Sequence, residues 1–365
     1  MQPLVSDLQV KEFRCFKDHT FTFSEPIVLI EGENGTGKTS LIEALHFLCY
    51  VRSFRTAFTQ DLIAYDQAGF FISATLAHDD LKDTIKIGVV GSQRSVKIND
   101  QTATSYKELL AYYRVITITE HDLALIQDGP TERRQFIDQI MSIQNPHWTA
   151  FLKKAIDLNT QRTRALYTNS CSPSLYESWT ETLWQYTRMI QLKRIEYLTQ
   201  LEEAMARLIQ TGMFAPLNPV ITLKYRPKLS CLQDMYGTFV HENRGLQEQE
   251  TRAGRALFGF QFDDIEIQLG GRHTRHYASR GQQKLILLLL RAAQLTLLEP
   301  SKGPTVIILD DFLTDLDDQR VRQLIGLLCS LGSQLIITSP RTNTLLRDIL
   351  TQCGKSYQTI NLSKL

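Results

Sequence analysis

The chain has no Cys-x-x-Cys pair. Its six cysteines, Cys15, Cys49, Cys171, Cys231, Cys329 and Cys353, are scattered along 365 residues. Such spacing argues against a structural zinc site and a disulfide framework, and fits reduced thiols. Long apolar runs are missing too. The longest, residues 285–298, is broken by Arg291 and Gln294, and a bilayer span needs about 20 apolar residues. The opening Met1-Gln2-Pro3-Leu4-Val5-Ser6-Asp7 has neither the basic start nor the apolar core of an export signal. A cytoplasmic location with no membrane partner is the expectation. Charge of one sign is equally absent: 40 Lys and Arg against 39 Asp and Glu leave +1. A nucleic-acid surface must then be a local concentration of basic residues. No internal repeat or low-complexity tract occurs, and 43% hydrophobic residues supply a core for one large domain or two modest ones.

Against these absences stands one complete motif. Gly32-Glu33-Asn34-Gly35-Thr36-Gly37-Lys38-Thr39 is a G-x-x-x-x-G-K-[ST] phosphate-binding loop. The buried-strand run Ile27-Val28-Leu29-Ile30 precedes it, and residues 40–48 follow with helical spacing. Glycines let backbone N–H groups curl around an anion, and the helix N-terminus adds partial positive charge. Lys38 is expected to reach the β- and γ-phosphates, and the Thr39 hydroxyl to ligate Mg²⁺. The loop predicts a nucleoside triphosphate ligand.

Farther on, Thr305-Val306-Ile307-Ile308-Leu309-Asp310-Asp311 is an apolar run ending in two acids, the pattern of a central parallel strand. Asp310 is placed to hold Mg²⁺ through water, and Asp311 to orient or deprotonate the attacking water. Between the two motifs lies Ser279-Arg280-Gly281-Gln282-Gln283-Lys284, ahead of the apolar residues 285–290. A serine and a glycine opening a helix make a second anion site, one suited to the nucleotide of a second subunit. The same segment also reads as a well-capped buried helix. With Thr314-Asp315-Leu316-Asp317 after the acids, the motif order is similar to that of ABC- and SMC-type ATPases, whose heads clamp two ATP molecules between two protomers.

Strands are expected at 4–13, 20–23, 27–30, 70–76, 84–90, 96–98 and 114–119. From Pro130 the pattern turns helical, with Phe136, Ile137, Ile140 and Met141 on one face. Pro146 separates a second helix, and Asn169-Ser170-Cys171-Ser172-Pro173 reads as a turn. A long helix with a basic break follows until Gly212 and Pro216 stop it. Strands at 220–225, 265–269, 305–309 and 334–338 are expected to return to one sheet. The fold class is α/β, an ABC-type ATPase head (P-loop NTPase) built from 1–122 and 215–365, with a compact helical lobe at 123–214. That lobe of about 90 residues is too short for the long coiled coil of SMC proteins.

The residues closely resemble the RecF family of bacterial recombination and gap-repair ATPases. The resemblance spans nearly the whole chain: Phe13-Arg14, the phosphate loop, Leu41-Ile42-Glu43-Ala44, Arg52-Ser53-Phe54-Arg55, His121-Asp122-Leu123, Gly129-Pro130 with Arg133-Arg134, Phe136-Ile137-Asp138, Gln161-Arg162, Ser279-x-Gly281-Gln282-Gln283 and Leu309-Asp310-Asp311. Three departures occur. Gly259-Phe260-Gln261-Phe262-Asp263-Asp264 stands where the family usually has Gly-Pro-His-Arg-Asp-Asp. Thr314-Asp315-Leu316-Asp317 replaces Ser-Glu-Leu-Asp, and Gln161-Arg162-Thr163 replaces Gln-Arg-Asn.

The resemblance implies ATP with Mg²⁺, an ATP-dependent homodimer, and Arg14, Ser279, Gly281, Gln282 and Thr338 beside the nucleotide. It also implies DNA as partner (duplexes, single-strand/duplex junctions and gaps), action with RecR and RecO to help RecA replace single-strand binding protein, and a weak ATPase that works as a switch. Candidate DNA contacts are Arg52 with Arg55, Arg133 with Arg134, Lys153 with Lys154, Arg162 with Arg164, Lys193 with Arg194, and Arg272-His273-x-Arg275-His276. Each basic pair alone also reads as a solvated face. Two other classes compete. A membrane-transporter ATPase would carry Leu-Ser-Gly-Gly-Gln and a switch histidine, where this chain has Ala278-Ser279-Arg280-Gly281-Gln282 and Thr338. A nucleotide-dependent nuclease would need an extra metal-binding domain, and none is expected after Leu365.

Overall fold

The computed structural model describes residues 3–78, 81–103, 108–109, 113–168, 170, 172–211, 219–298, 305–314, 316–340 and 343–364. Asn169, Cys171, Gly212, Pro216 and Asp315, and the expected domain boundary at 214/215, lie outside the described residues. By internal contacts the chain forms two compact units, Met1–Asp122 with Leu298–Leu365, and Leu123–Leu297.

The first unit holds two sheets of opposite character. Strands β1 (Val5–Phe13) and β2 (Phe16–Thr22) pair antiparallel, while β3 (Ile27–Glu31) leaves for the second sheet. The hairpin partners β4 (Gly69–His78), β5 (Leu81–Val90), β6 (Gln93–Ile98) and β7 (Gln101–Thr102) complete the first sheet, in order β2-β1-β4-β5-β6-β7. One face of it, with Val10, Ile72 and Ile87 in register, is buried; Gln9, Ser73 and Lys86 form the other, the alternation of a half-buried antiparallel sheet.

The second sheet is parallel: β14 (Tyr357–Asn361), β3, β13 (Gln334–Ser339), β12 (Thr305–Asp310) and β8 (Arg114–Thr119). Here alternation disappears: β3, β8 and β13 are buried at every position, as apolar strands covered on both faces must be. Helix Lys38–Tyr50 packs against this sheet at β8 and β12, with His46 Nδ1 2.9 Å from Thr117 Oγ1 and the Tyr50 hydroxyl donating to the Val115 carbonyl at 2.7 Å. Both ends of the chain thus supply the parallel sheet.

In the second unit, helices Pro130–Gln144, Pro146–Tyr167 and Pro173–Gln210 pack together. The last runs 38 residues without interruption, so the expected basic break is absent. Arg194, which suggested it, is buried instead, bonding Asp138 at 3.0 and 2.8 Å and the Phe260 carbonyl at 2.8 Å. Strands β9 (Ile221–Arg226), β10 (Asp264–Leu269) and β11 (Arg272–His273) form a separate antiparallel sheet, ordered β11-β10-β9. This corrects the expectation that 220–225 and 265–269 continue the sheet of 305–309 and 334–338. Residues 219–297, expected in the head, group by contacts with the helices. The physical reason is the apolar side of β9 and β10: Leu223, Ile265 and Ile267 face Leu125, Phe136, Ile137, Leu198 and Leu290.

A fully buried ion pair lies inside this unit. Arg162 donates to both carboxylate oxygens of Glu250, one bond at 3.0 Å, and neither side chain is exposed. Thr180 and Tyr176 hydroxyls complete the network, and the guanidinium stacks 4.8 Å from the Tyr176 ring and 5.0 Å from Phe258. A charge so deep is stable only with its partner and hydrogen bonds intact.

Candidate nucleotide site

Strand β3 ends at Glu31, which is buried and gripped by Arg347 through two hydrogen bonds. The chain then turns through the loop at the C-terminal edge of the parallel sheet, where open α/β folds bind ligands. Gly32 is buried, while Glu33, Asn34 and Gly35 form the exposed crest. Thr36 closes the crest, its hydroxyl donating to the Glu33 carbonyl at 2.9 Å. Gly35 and Gly37 adopt φ of 88° and 99°. At Gly37 a Cβ would also lie 2.8 Å from Cys15 Sγ and 2.9 Å from Phe16 Cζ, so only glycine fits. Helix Lys38–Tyr50 begins with no side-chain cap and no acidic residue in its first turn, which leaves its N-terminal N–H groups and dipole available to an anion.

Lys38 is 4% exposed, and its Nζ donates to the Gly32 carbonyl at 2.9 Å and the Glu33 carbonyl at 3.2 Å. The ammonium therefore sits inside the curl of the loop. Thr39 Oγ1 lies 3.3 Å from Asp310 Oδ1, which joins loop and acidic strand across 271 positions of sequence. Thr338, at the end of β13, donates to Asp310 Oδ1 at 2.9 Å and accepts the Asp311 N–H at 2.8 Å. Asp311 has φ 46°; this left-handed turn, which Asp tolerates better than most residues, aims its amide at Thr338. Burial raises the Asp310 carboxyl above its ordinary range, and the Asp311 charge adds to that. Hydrogen bonds from Thr338 and Thr39, and the charge of nearby Arg55, pull the other way. Two crowded acids beside a threonine hydroxyl are a donor set that fits Mg²⁺, because a divalent cation relieves both burial and repulsion.

Arg14 reaches the helix that follows the loop. It forms a two-bond fork to Glu43, 2.8 Å on each arm, and donates to the Asp61 carbonyl at 2.7 Å. Glu43, fully buried on the loop's helix, also accepts from Ser53 at 2.5 Å and lies 3.6 Å from Arg55. The Phe13-Arg14, Leu41-Ile42-Glu43-Ala44 and Arg52-Ser53-Phe54-Arg55 segments meet in this one cluster. Glu43 was missed as an organising residue; the signal available was a lone carboxylate amid the apolar Leu41, Ile42, Ala44 and Leu45.

In the second unit, Ser279 opens the helix Arg280–Leu298 with a reciprocal cap: the Gln282 N–H donates to Ser279 Oγ at 3.3 Å, and the Ser279 N–H to Gln282 Oε1 at 2.8 Å. This is the Ser-x-x-Gln capping box. Ser279 and Arg280 are exposed, whereas Gly281 is buried. Several candidate DNA contacts are spent internally. Arg133 forks onto Asp264 at 2.9 and 3.1 Å, Arg134 donates to the Asp263 carbonyl at 2.7 Å, and Arg162 and Arg194 are the buried arginines described above. Asp263 itself accepts from Gln191, Tyr225 and the Lys228 N–H. The departure at 259–264 keeps these two structural acids. Arg52, Arg55, Lys153, Lys154 and Arg164 stay exposed, and Lys193 pairs with Glu196 at 2.6 Å. Asp317 caps the helix Asp318–Ser330.

Residues 4–358 match the family model of the RecF/RecN/SMC N-terminal domain. The chain is 28% identical over 340 residues to the DNA replication and repair protein RecF of Natranaerobius thermophilus, covering 88% of each chain. It is also 28% identical over 350 residues to that of Chloroherpeton thalassium, covering 92% of this chain and 94% of the relative. A solved structure of the recombination mediator protein RecF-ATP in the RecFOR pathway superposes with a TM-score of 0.78 at 24% identity, covering 94% of this chain and 95% of that one. The fold is that of an ABC-type ATPase head. No described helix is long and apolar enough to cross a membrane.

Proposed function

Because the chain belongs to the RecF/RecN/SMC N-terminal-domain family, we propose that it is an ATP-switched DNA-binding protein of replication-gap and recombinational repair. The observation that carries this reading is the meeting of Thr39, Asp310, Asp311 and Thr338 beside the buried Lys38. The loop amides, helix N-terminus and Lys38 bind the phosphates of ATP. Mg²⁺, held by Thr39 Oγ1 and through water by Asp310, would neutralise charge on the terminal phosphates. Asp311 accepts the proton of the attacking water, and Thr338 fixes both acids in place.

Ser279 and the Gly281 amide act in trans, capping the γ-phosphate bound by a second copy, so ATP joins two heads around duplex or gapped DNA. Hydrolysis and phosphate release part them. Asp311 is one methylene shorter than a glutamate, so turnover is slow, a property suited to a timed clamp. Partners are DNA, RecR and RecO, with RecA acting downstream, in the cytoplasm. Sedimentation with and without ATP, on duplex, single-stranded and gapped DNA at fixed salt, tests this. An ATP-dependent dimer that prefers duplex or gapped DNA is expected; a monomer indifferent to ATP and DNA refutes it.

A further inference from the structure

Two cysteines set 24 positions apart in sequence meet at the end of the parallel sheet away from the phosphate loop. Cys329 lies in the last turn of the helix Asp318–Ser330. Cys353 caps the C-terminal end of the helix Thr344–Gln352, its N–H bonding the Ile349 and Thr351 carbonyls. Gly354, at φ 67°, then turns the chain toward β14. From that turn Lys355 reaches back and donates to the Cys329 carbonyl, which answers the partial negative charge of a helix C-terminus. The lysine thereby pins one helix end beside the other. The Cys353 side chain is a hydrogen-bond partner of the Cys329 thiol.

A cavity of about 280 Å³ adjoins the pair, lined by Cys329, Gly354 and Lys355, with room for a small oxidant. Its walls include Ile27 and Leu335, from the beginnings of β3 and β13, whereas the phosphate loop follows the other end of β3. The two sulfurs are not equivalent. Cys329 is buried and Cys353 half-buried. Burial, and then the neighbouring Cys353, push the Cys329 thiol up to about 12, against the pull of Lys355. A thiol held protonated is a poor nucleophile. Cys353 is therefore the sulfur that meets an oxidant first, with Cys329 waiting beside it.

We propose that Cys329 and Cys353 are a reversible dithiol–disulfide site, oxidised by a hydroperoxide and restored by a low-molecular-weight thiol. The Cys353 sulfur, as thiolate, attacks a peroxide oxygen; the O–O bond breaks, and the departing hydroxide takes a proton from solvent to become water. The Cys329 sulfur then attacks the sulfenic acid so formed. The S–S bond forms, the S–O bond breaks, and the hydroxide leaves with the Cys329 proton as a second water. The peroxide gains two electrons and the thiol pair loses them. Two equivalents of the external thiol reverse this by exchange, ending as their own disulfide. One such pair is not a structural framework; in a reducing compartment a disulfide of this kind is transient and redox-sensing. Closure links two helix ends, and since β14 begins at Tyr357 and flanks β3, it also tethers the edge of the sheet. The nucleotide edge is untouched, so ATP affinity stays the same.

The test exposes the full, reduced chain to a small excess of hydrogen peroxide and then blocks remaining thiols with N-ethylmaleimide. Tryptic cleavage at Arg341 and Arg347 separates the two cysteines. The disulfide therefore appears as peptides 323–341 and 348–355 joined together, and dithiothreitol splits them. The oxidised chain is expected to melt about 4 °C or more above the reduced one, because the link constrains the unfolded state. In Cys353→Ser the Cys329 thiol should survive peroxide about tenfold longer or more. In Cys329→Ala oxidation should stop at a Cys353 sulfenic acid that dimedone captures. Absence of the joined peptides from the oxidised, unaltered chain overturns the proposal. So does an oxidised chain that melts below the reduced one, or a Cys329 thiol lost as fast in Cys353→Ser as in the unaltered chain. None of these outcomes bears on the ATP and DNA reading, which the site does not use.

Discussion

Asp311 gives its backbone N–H to the Thr338 hydroxyl at 2.8 Å, and that same hydroxyl reaches Asp310 Oδ1 at 2.9 Å. One threonine thus ties together two neighbouring acids. Asp310 Oδ1 also lies 3.3 Å from Thr39 Oγ1, whereas Asp311 meets Thr338 through its N–H and, at 3.3 Å, through Oδ1; the proposed mechanism gives Asp310 to the metal and Asp311 to the water. Asp311→Asn is expected to bind ATP normally and to hydrolyse it about 100-fold more slowly or worse, since an amide keeps the shape but accepts no proton. Asp310→Asn should weaken Mg²⁺-dependent nucleotide binding. Single-turnover hydrolysis and Mg²⁺ titrations distinguish them, and matching defects would refute the division.

Asp310 also predicts a pH effect on stability. Its folded carboxyl titrates above the ordinary 3.8, chiefly through burial. The unfolded chain then gives up this proton more readily, so the contribution to stability is full below about pH 3.8 and is lost as pH rises through the raised folded value. Without nucleotide or metal, Asp310→Asn should melt at a higher temperature than the unaltered chain at pH 7, and the gap should close toward pH 4. Calorimetric melts across that range check the sign.

Lys38→Met should keep the fold and lose ATP affinity by about 10- to 100-fold or more, because charged hydrogen bonds to phosphate vanish. The methionine stem fits where the lysine stem is buried, and only two backbone carbonyls lose a donor. Calorimetric titration with ATP, alongside far-ultraviolet circular dichroism, reads both halves of the prediction.

Ser279→Arg should leave ATP binding by the single chain intact but abolish ATP-dependent dimerisation and hydrolysis. Ser279 is exposed and bonded only within its own capping turn, so the fold loses at most a helix cap, about 1 kcal/mol. Sedimentation with ATP decides. Persistence of the dimer would remove the trans-acting role.

Glu250→Ala should destabilise the protein by about 3–5 kcal/mol, since it strands the fully buried Arg162 charge. Arg162→Met/Glu250→Leu should recover much of that loss by removing both charges. Urea unfolding of the single and double variants measures the difference, and equal stability of the single variant and the unaltered chain would be the contrary result.

The phosphate loop and the acidic strand were legible in the sequence because each is contiguous and its chemistry sits on adjacent residues. Five of the six strands of the antiparallel sheet were legible as strands, but β7 was not, nor was their pairing into a sheet of their own. Pairing between distant segments was likewise illegible. β9 and β10 read correctly as strands, but which sheet receives a strand depends on partners far away in sequence. Arg133, Arg162 and Arg194 looked like solvent cations because their acids lie 131, 88 and 56 positions distant. β14 was missed for a simpler reason: it is an edge strand with no fully buried residue, so it carries little apolar signal.

The seating of β3 between β13 and β14 bears on how the protein comes into being. The strand that launches the phosphate loop acquires its two neighbours only from residues 334–361, roughly 300 positions later in synthesis. At about 5–20 residues per second, that delay is on the order of 15–60 s. During it the nascent β3, with five buried positions, has neither flanking strand. The parallel sheet of this unit is therefore completed only after residues 334–361 have been made.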